Sequence, residues 1–458
     1  MAFANAQEKT LLETLVKKGT ISEQEASQIA KDGVMVTPSK KDTKVLTIGG
    51  GIDAWFTWGS YEVKSPSPTL GPSANASGFE LRYVKLGVDA EIAGGWNAEL
   101  MTDFGVEGKN RDYLDKVLIS KKIAYDSIIG TLGVGMRKVN MGYEQNMGDF
   151  DLLTTERSIA TWFFTRPAAT TYAQKNFGSR AIGIFWDGEV EQVEGLTYGF
   201  SVVGGNSFEG SSAKLANYQG NNNLSFYANV AYGDKFFWCD NELSYKVGLN
   251  FGYANGGMVR TEGTNYINSE LWGINPYFTA KYKGFSIMLE YFLQHVSQGS
   301  FNGLENATPQ GFNAILAYKF ETAQFGQIEL VLRVSMIATN GMGFNPVTMG
   351  LFSYDPSNAS AVYDNAQAIY IGANWYVIPA VKVSVGYEGA NTRARSTPKL
   401  RTARSQIPLG RPCRFYSRGL HLGFSFAAWR ARGFRARFFS EDFWGGRIAC
   451  FISPYFPL

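Results

Sequence analysis

Charge is the only chemistry this chain repeats. Its 458 residues include two histidines, His295 and His421, far apart in sequence, and three cysteines, Cys239, Cys413 and Cys450. Neither set gives a nucleophile with its base, a metal-ligand spacing or a disulfide framework. Gly49-Gly50-Gly51 lies inside a strand pattern and opens no helix, so it reads as a bend rather than a phosphate cradle. No enzyme, cofactor or metal is expected. What recurs is Lys, Arg, Asp and Glu on the polar phase of alternating segments. Lys85, Lys116, Lys122, Arg137, Lys246, Lys281, Lys319, Arg333 and Lys382 share that phase with Asp53, Asp89, Glu99, Asp103, Glu242, Glu290, Glu329 and Glu388. Charges aligned along one face of many strands can sort ions by sign without making a bond.

The segments that must position these charges are long. In the stretch from Leu271 to Tyr282, Trp272, Ile274, Phe278, Ala280 and Tyr282 point one way, and Gly273, Asn275, Tyr277, Thr279 and Lys281 the other. After Lys283-Gly284 the period resumes, with Phe285, Ile287, Leu289, Tyr291 and Leu293 opposite Ser286, Glu290 and Gln294. Soluble strands average about five or six residues; an unbroken period over nine to eleven fits a strand crossing a hydrocarbon layer at a tilt. No run of eighteen apolar residues exists, so no helix crosses a membrane, and mean hydropathy is slightly negative although aromatics reach 15%. A closed sheet resolves this, because every backbone group finds a partner while only alternate side chains face lipid. A large soluble all-β protein is the alternative, but soluble sheets rarely repeat strands of this length.

Fifteen such segments are countable, from Val45 to the one beginning near Val381, and their connections alternate short and long. Lys283-Gly284 and Tyr232 to Asn241 are expected turns; Gly59 to Gly78, Lys138 to Ser179 and Asn255 to Ser269 are expected loops. This alternation marks a bacterial barrel with brief periplasmic turns and extended outside loops. A first long connection puts the N-terminus in the periplasm. An even count then needs a sixteenth strand after Asn391. The fold class is therefore all-β: a transmembrane antiparallel barrel of about sixteen strands, wide enough to hold a water channel.

The third outside loop, Lys138 to Ser179, is the longest, and loops of that length are usually functional. It carries Glu144, Asp149, Asp151, Glu156, Arg157, Arg166 and Lys175, with Trp162-Phe163-Phe164 as apolar ballast. It either folds into the lumen or lies on the surface, and the aromatic run favours the lumen. The expected constriction is Arg157, Arg166 and Glu156 from the loop, with Arg137, Arg333 and Lys122 inward by period.

Several motifs carry a resemblance. Arg82-Tyr-Val-Lys-Leu-Gly-Val-Asp-Ala90, Gly130-Thr-Leu-Gly-Val-Gly-Met-Arg-Lys-Val-Asn-Met-Gly142, Thr155-Glu-Arg-Ser158 and the opening Leu11 to Ala26 are similar, in order and position, to the phosphate-selective porin O and P family. The resemblance spans roughly residues 8 to 391. It implies a sixteen-stranded homotrimeric channel in the bacterial outer membrane, against lipid and lipopolysaccharide, passing small hydrophilic solutes or anions past rows of Arg and Lys. Residues 1 to 391 hold 30 Lys and Arg against 38 Asp and Glu, and only eight of those cations are Arg. Phosphate is best gripped by the planar Arg fork, so phosphate specificity is not carried over: a general diffusion porin is expected, with an anion or phosphate preference left open. A structural or adhesive barrel without conductance is the alternative.

Three segments lie outside the barrel pattern. Residues 1–7 read as a signal-peptide remnant, with Ala4-Asn5-Ala6 fitting a cleavage site, so export is inferred. Residues 8–44 form a helical leader and linker, with Gly19 ending one helix and Ser22 and Glu25 capping a second. It tethers the N-terminus or pairs with sister subunits. Residues 392–458 hold twelve Arg, one Lys and two acids, a net charge of +11. So abrupt a switch suggests a changed reading frame, the alternative being an Arg-rich arm for nucleic acid or lipopolysaccharide. Under the frame reading no nucleic-acid partner is expected. Leu420 to Phe426 or Gly433 to Phe438 supplies the closing strand.

Overall fold

The computed structural model describes residues 43–63, 73–105, 113–125, 128–165, 173–174, 178, 180–204, 224–262, 265–297, 305–343, 363–378, 380–394 and 414–431. The helical leader, the signal remnant, Arg166 and the Gly433 to Phe438 segment lie outside them.

Sixteen long strands and one of two residues form a single antiparallel sheet. They are β1 (Thr43–Val63), β2 (Ser73–Ile92), β3 (Trp96–Asp103), β4 (Leu114–Tyr125), β5 (Ile128–Lys138), β6 (Ala173–Gln174), β7 (Arg180–Val190), β8 (Leu196–Gly204), β9 (Leu224–Trp238), β10 (Asn241–Glu262), β11 (Asn265–Tyr282), β12 (Phe285–Val296), β13 (Gln310–Thr322), β14 (Gly326–Ala338), β15 (Tyr363–Ile378), β16 (Val381–Ala394) and β17 (Arg414–Ala431). Successive long strands pair in antiparallel order, β5 with β7, while the two-residue β6 pairs with β10, and β1 pairs with both β2 and β17. The sheet therefore closes on itself, which is what an apolar exterior demands: an open edge in hydrocarbon would leave unpaired amides costing several kcal/mol each. The closing strand comes from the Arg-rich tail and contains the Leu420 to Phe426 segment; β16 itself runs on to Ala394.

The two-residue period sorts the side chains as the sequence predicts. On β14, Leu330 and Leu332 are 51% and 42% exposed on the outside, whereas Glu329, Arg333 and Ser335 are buried on the inside. Exposed outward apolar residues continue around the wall, among them Leu86, Ile119, Val134, Ile184, Phe200, Leu249 and Ile371.

Three expected connections are corrected, the first being Gly59 to Gly78, where β1 and β2 stay paired out to Glu62 and Ser73. The segment Asn255 to Ser269 is mostly ladder rather than loop: β10 and β11 stay paired out to Glu262 and Asn265. Beyond the hydrocarbon both faces meet water, so a polar sequence without alternation can still extend a hairpin. Tyr232 to Asn241 is likewise not all turn. The β9–β10 ladder runs through Phe236, Phe237 and Trp238, and only Cys239 and Asp240 turn the chain, with φ of 48° and 60°. Positive φ at both central residues matches the right-handed twist of the flanking strands.

Two β-bulges disturb the period near one end. Asp53 pairs with Tyr83 and Ala54 with Leu81, so Arg82 is an extra residue. Met101 pairs with Lys116 and Thr102 with Leu114, so Asp115 is another. A bulge re-aims the side chain it adds, and both of these charges turn to the inside.

Candidate pore constriction

The connection between β5 and β7 folds into the barrel. Its described part holds α1 (Tyr143–Asn146), a 3-10 turn at Asp149–Asp151, and α2 (Ile159–Thr165). Every residue of α2 is buried. Phe164 stacks on Phe292 of β12, ring centroids 5.0 Å apart and planes 2° apart, and meets Phe163 edge-on at 4.8 Å. Gly311 on β13 makes room for it, since a Cβ there would lie 2.4 Å from the Phe164 ring. The backbone is satisfied too: Ala160 N–H donates to Ser335 Oγ at 3.1 Å, and Gln294 Nε2 donates to Phe164 O at 3.2 Å. Burying each of the large apolar side chains contributes about 1.5–3 kcal/mol. The wall was prepared for this, because Met288, Phe292 and Val296 break the polar rule on the inner face of β12.

On the side of β2, β4, β5 and β7 the loop is held by cations. Asp149, at the 3-10 turn, is the hub: Lys85 pairs with it closely, Arg157 Nη2 lies 2.6 Å away and Lys138 Nζ 3.6 Å away. Burial would raise this carboxyl, but Lys138, Lys85, Arg157 and Arg180 outweigh burial and hold it well below the usual carboxylate range. Arg157 shows the converse: burial would lower its pKa, yet Asp149 first, then Tyr83 and Glu156, raise it. Asp115, turned in by its bulge, receives Lys85 at 2.9 Å and Arg180 at 2.5 Å. Arg82, turned in by the other bulge, pairs closely with Glu156 and lies 4.8 Å and 5.6 Å from the ring centres of Trp55 and Trp162.

Across the lumen the signs reverse. Arg333 of β14 is fully buried and serves the acids around it: Nη2 lies 2.9 Å from Glu388 Oε1, and Nη1 lies 3.6 Å from Glu144 Oε1. It also donates to Thr154 Oγ1 at 2.8 Å and to Glu156 O at 2.5 Å, so it grips the loop backbone. Lys382 donates to Phe150 O and Leu152 O at 3.0 and 2.7 Å, and Asn374 Nδ2 donates to Leu153 O at 2.8 Å. Glu290 of β12 accepts the N–H of Tyr143. Tyr370 packs across Gly386 and Gly372, where a Cβ would meet its hydroxyl at 2.2 and 2.4 Å.

Of the residues the sequence nominated, Arg157, Glu156 and Arg333 come together in this anchor. Arg137 stands on the wall with a two-pronged pair to Asp187, its Nη2 donating to Oδ1 at 2.9 Å, and its guanidinium 4.5 Å from the Phe185 ring. Lys122 is not among them. It lies exposed three residues from the short-turn end of β4, seven residues or about 23 Å along the strand from Asp115. Period alone missed Arg82 and Asp115, because each sits on the outward phase until its bulge is known. It gave no means of finding Asp149 or Glu144, since a loop has no phase.

Below the loop, toward the short turns, a cavity of about 680 Å³ opens, lined by Tyr143, Met147, Phe150, Lys281, Lys319 and Tyr376 among others. Lys319 lies 4.0 Å from the Tyr376 ring centre, and Glu329 accepts the Tyr376 hydroxyl at 2.7 Å. Such a passage, walled by mixed charges and narrowed by a clamped loop, can pass small hydrated solutes.

Among solved structures, the chain is similar to an anion-selective porin from Comamonas acidovorans, at 14% identity over 83% of this chain and 99% of that one, with a TM-score of 0.50. It is also similar to OprB of Pseudomonas putida, at 9% identity over 83% and 94% with a TM-score of 0.46. The outer membrane channel DcaP of Acinetobacter baumannii matches at 10% identity over 86% and 100%, with a TM-score of 0.45. No curated protein sequence matches. The family described as phosphate-selective porin O and P matches residues 68–408, three quarters of the chain and somewhat past the 391 expected from its motifs. With a closed barrel, an inward third loop and that match, the chain belongs to the phosphate-selective porin O and P family and is a channel of the bacterial outer membrane.

Proposed function

We propose that this porin passes small hydrophilic solutes or ions with at most a weak preference for anions or phosphate. One observation carries the reading. Among the described residues, most cations around the third loop are already committed to carboxylates: Arg82 to Glu156, Lys85 to Asp115 and Asp149, Arg157 to Asp149, Arg137 to Asp187, Arg333 to Glu388. An oxyanion held by several donors needs guanidinium forks free to face it, and a selective field needs one sign of charge at the narrow section. In this reading Arg157, Arg333 and Glu156 hold the loop that sets the bore. Arg137 lines the wall beside it, while Lys122 stands toward the short turns, away from the bore. The chain assembles as a homotrimer with its short turns in the periplasm, is exported by a signal preceding residue 8, and closes through β17.

Planar-bilayer recording tests this. Reversal potentials in a potassium chloride gradient are expected near zero, and millimolar phosphate is expected to leave the chloride current unblocked. A strongly anion-selective reversal potential, with phosphate block at micromolar concentration, would return the phosphate filter; a barrel passing no current would return the adhesive reading.

A further inference from the structure

The acidic side of the loop anchor is short of both positive charge and donors. Glu144 and Glu290 are buried and Glu388 nearly so; the Arg333 guanidinium pairs with Glu144 and Glu388, and Glu290 meets its neighbours through hydrogen bonds alone. With all three ionised the group would carry a net charge of −2 in a place water scarcely reaches. The hydrogen bonds are equally one-sided. Glu144 Oε2 accepts from Ser158 N at 2.9 Å, Thr161 Oγ1 at 2.6 Å and Asn313 Nδ2 at 3.2 Å. Glu290 Oε1 accepts from Tyr143 N and, at 3.2 Å, from Asn275 Nδ2. The other oxygens, Glu144 Oε1 and Glu290 Oε2, are buried with no hydrogen-bond donor.

A third orphan points to what fits there. Asn313 is fully buried and sits opposite Glu290 on the β12–β13 ladder. Its Nδ2 holds Glu144, yet the oxygen of the same amide, Oδ1, has no hydrogen-bond partner. A buried polar atom left unsatisfied costs about 1–3 kcal/mol, and three of them belong to side chains bonded to one another or facing across one ladder. All three are hard oxygen acceptors: two carboxylates and an amide carbonyl. Sulfur and imidazole are absent from the set, which disfavours zinc, copper and nickel. Magnesium needs near-ideal octahedral geometry and keeps its waters, whereas calcium takes six to eight oxygens in a flexible shell that readily includes amide carbonyls.

We infer that Glu144 Oε1, Glu290 Oε2 and Asn313 Oδ1 form a calcium site that clips the third loop to the barrel wall. Glu144 belongs to α1 and holds the start of α2 through Ser158 and Thr161, while Glu290 and Asn313 belong to adjacent wall strands. One divalent ion offsets the net −2 and supplies the missing partner of all three oxygens. Water completes its shell from the cavity that Tyr143 and Met288 line. Sequence spacing cannot show such a site, because 146 positions separate the two carboxylates.

The test uses the full chain, purified in detergent free of lipopolysaccharide and stripped with a chelator. Radioactive calcium is expected to bind at one equivalent per chain, and calcium, but not equimolar magnesium, is expected to raise the unfolding temperature. Glu290→Gln is expected to abolish both responses, and Asn313→Asp, which adds a charged ligand, to tighten binding about tenfold. Asn313→Asp keeps the test open if Glu290→Gln folds poorly. Absence of stoichiometric binding, or binding unchanged by both variants, would overturn the site. So would a stability that rises on acidification and ignores calcium, since the two carboxylates would then share a proton.

Discussion

The two sides of the third-loop anchor are built on opposite charge. On the β2–β7 side the buried carboxylate of Asp149 gathers Lys85, Lys138 and Arg157, with Asp115 beside it holding Lys85 and Arg180. On the β12–β16 side a single buried guanidinium, Arg333, faces Glu144 and Glu388. Each hub is the minority sign in its own neighbourhood. Burying ions costs several kcal/mol apiece unless good geometry and extra hydrogen bonds repay it. The hubs therefore matter less as attractive pairs than as the charge that stops their neighbours repelling. The loop is a cross-brace whose ends are locked by opposite means, and cutting one lock should not mimic cutting the other.

The largest effect is expected at Asp149. Asp149→Ala removes the carboxylate that Lys138 and Arg157 share and leaves Lys85 only Asp115, and breaking a buried pair from one side costs about 3–5 kcal/mol. Chemical denaturation should show a loss of that size, and single-channel conductance should rise as the loop leaves the lumen. An unchanged conductance would mean that aromatic packing alone holds the loop, and the comparison would collapse. The pH dependence sharpens the same point. The folded pKa of Asp149 is depressed, so its contribution is fully present above the ordinary carboxylate value of about 3.9 and is lost only as pH falls through the lower folded value. The Asp149 lock should therefore hold from pH 7 down to about 4, with conductance rising only in stronger acid.

Arg333→Met comes next, at the lower end of the same range, because Glu144 keeps three donors when the guanidinium goes and Glu388 is partly exposed. Its signature should differ from that of Asp149→Ala: the uncovered carboxylates should draw the reversal potential toward cations, whereas Asp149→Ala should draw it toward anions. Shifts of the same sign in both variants would refute the opposition of the two ends.

How much of this was legible beforehand follows from what a period can carry. Arg333, Glu388, Glu290 and Lys382 are inward because they keep phase with their strands, and the two-residue alternation is enough to place them. Arg82 and Asp115 fall on the wrong phase by one residue. The bulges that correct them leave no Gly or Pro in the sequence at those positions, so no local signal marks them. Docking of the loop was half visible, in Trp162-Phe163-Phe164 and in the apolar residues Phe292 and Val296 on an otherwise polar face. Which loop acid would become a hub was not visible, because Asp149 and Asp151 differ only in where the 3-10 turn aims them.

A smaller effect is expected at Glu156→Gln. Its pair with Arg82 is partly screened, with side chains 16% and 11% exposed. The substitution keeps an acceptor for Arg157 N–H, which Glu156 Oε1 now receives at 2.8 Å. A charged hydrogen bond is worth about 1.5–3 kcal/mol, and exposure should reduce that toward 1. Arg82 would still be held between Trp55 and Trp162.

The smallest effect on stability, and the most telling on selectivity, belongs to Arg137. Its pair with Asp187 has the same two-pronged geometry as a strong buried pair, but the Asp187 side chain is 43% exposed to the lumen, against 4% for Asp149. Exposed pairs contribute about 0–1 kcal/mol because water and salt already screen both partners. Arg137→Gln should therefore leave unfolding almost unchanged. It should nevertheless expose a wall carboxylate that Asn140 only partly covers, its Nδ2 lying 3.3 Å from Asp187. The expected result is a small cation-ward shift of the reversal potential that shrinks as salt rises, since the Debye length falls from about 10 Å at 0.1 M to about 3 Å at 1 M. A shift that persists at 1 M would mean that Arg137 lies at the narrowest section, where solutes pass too close for screening. The selective field would then sit on the wall rather than at the loop, and the two-ended brace would be only a support.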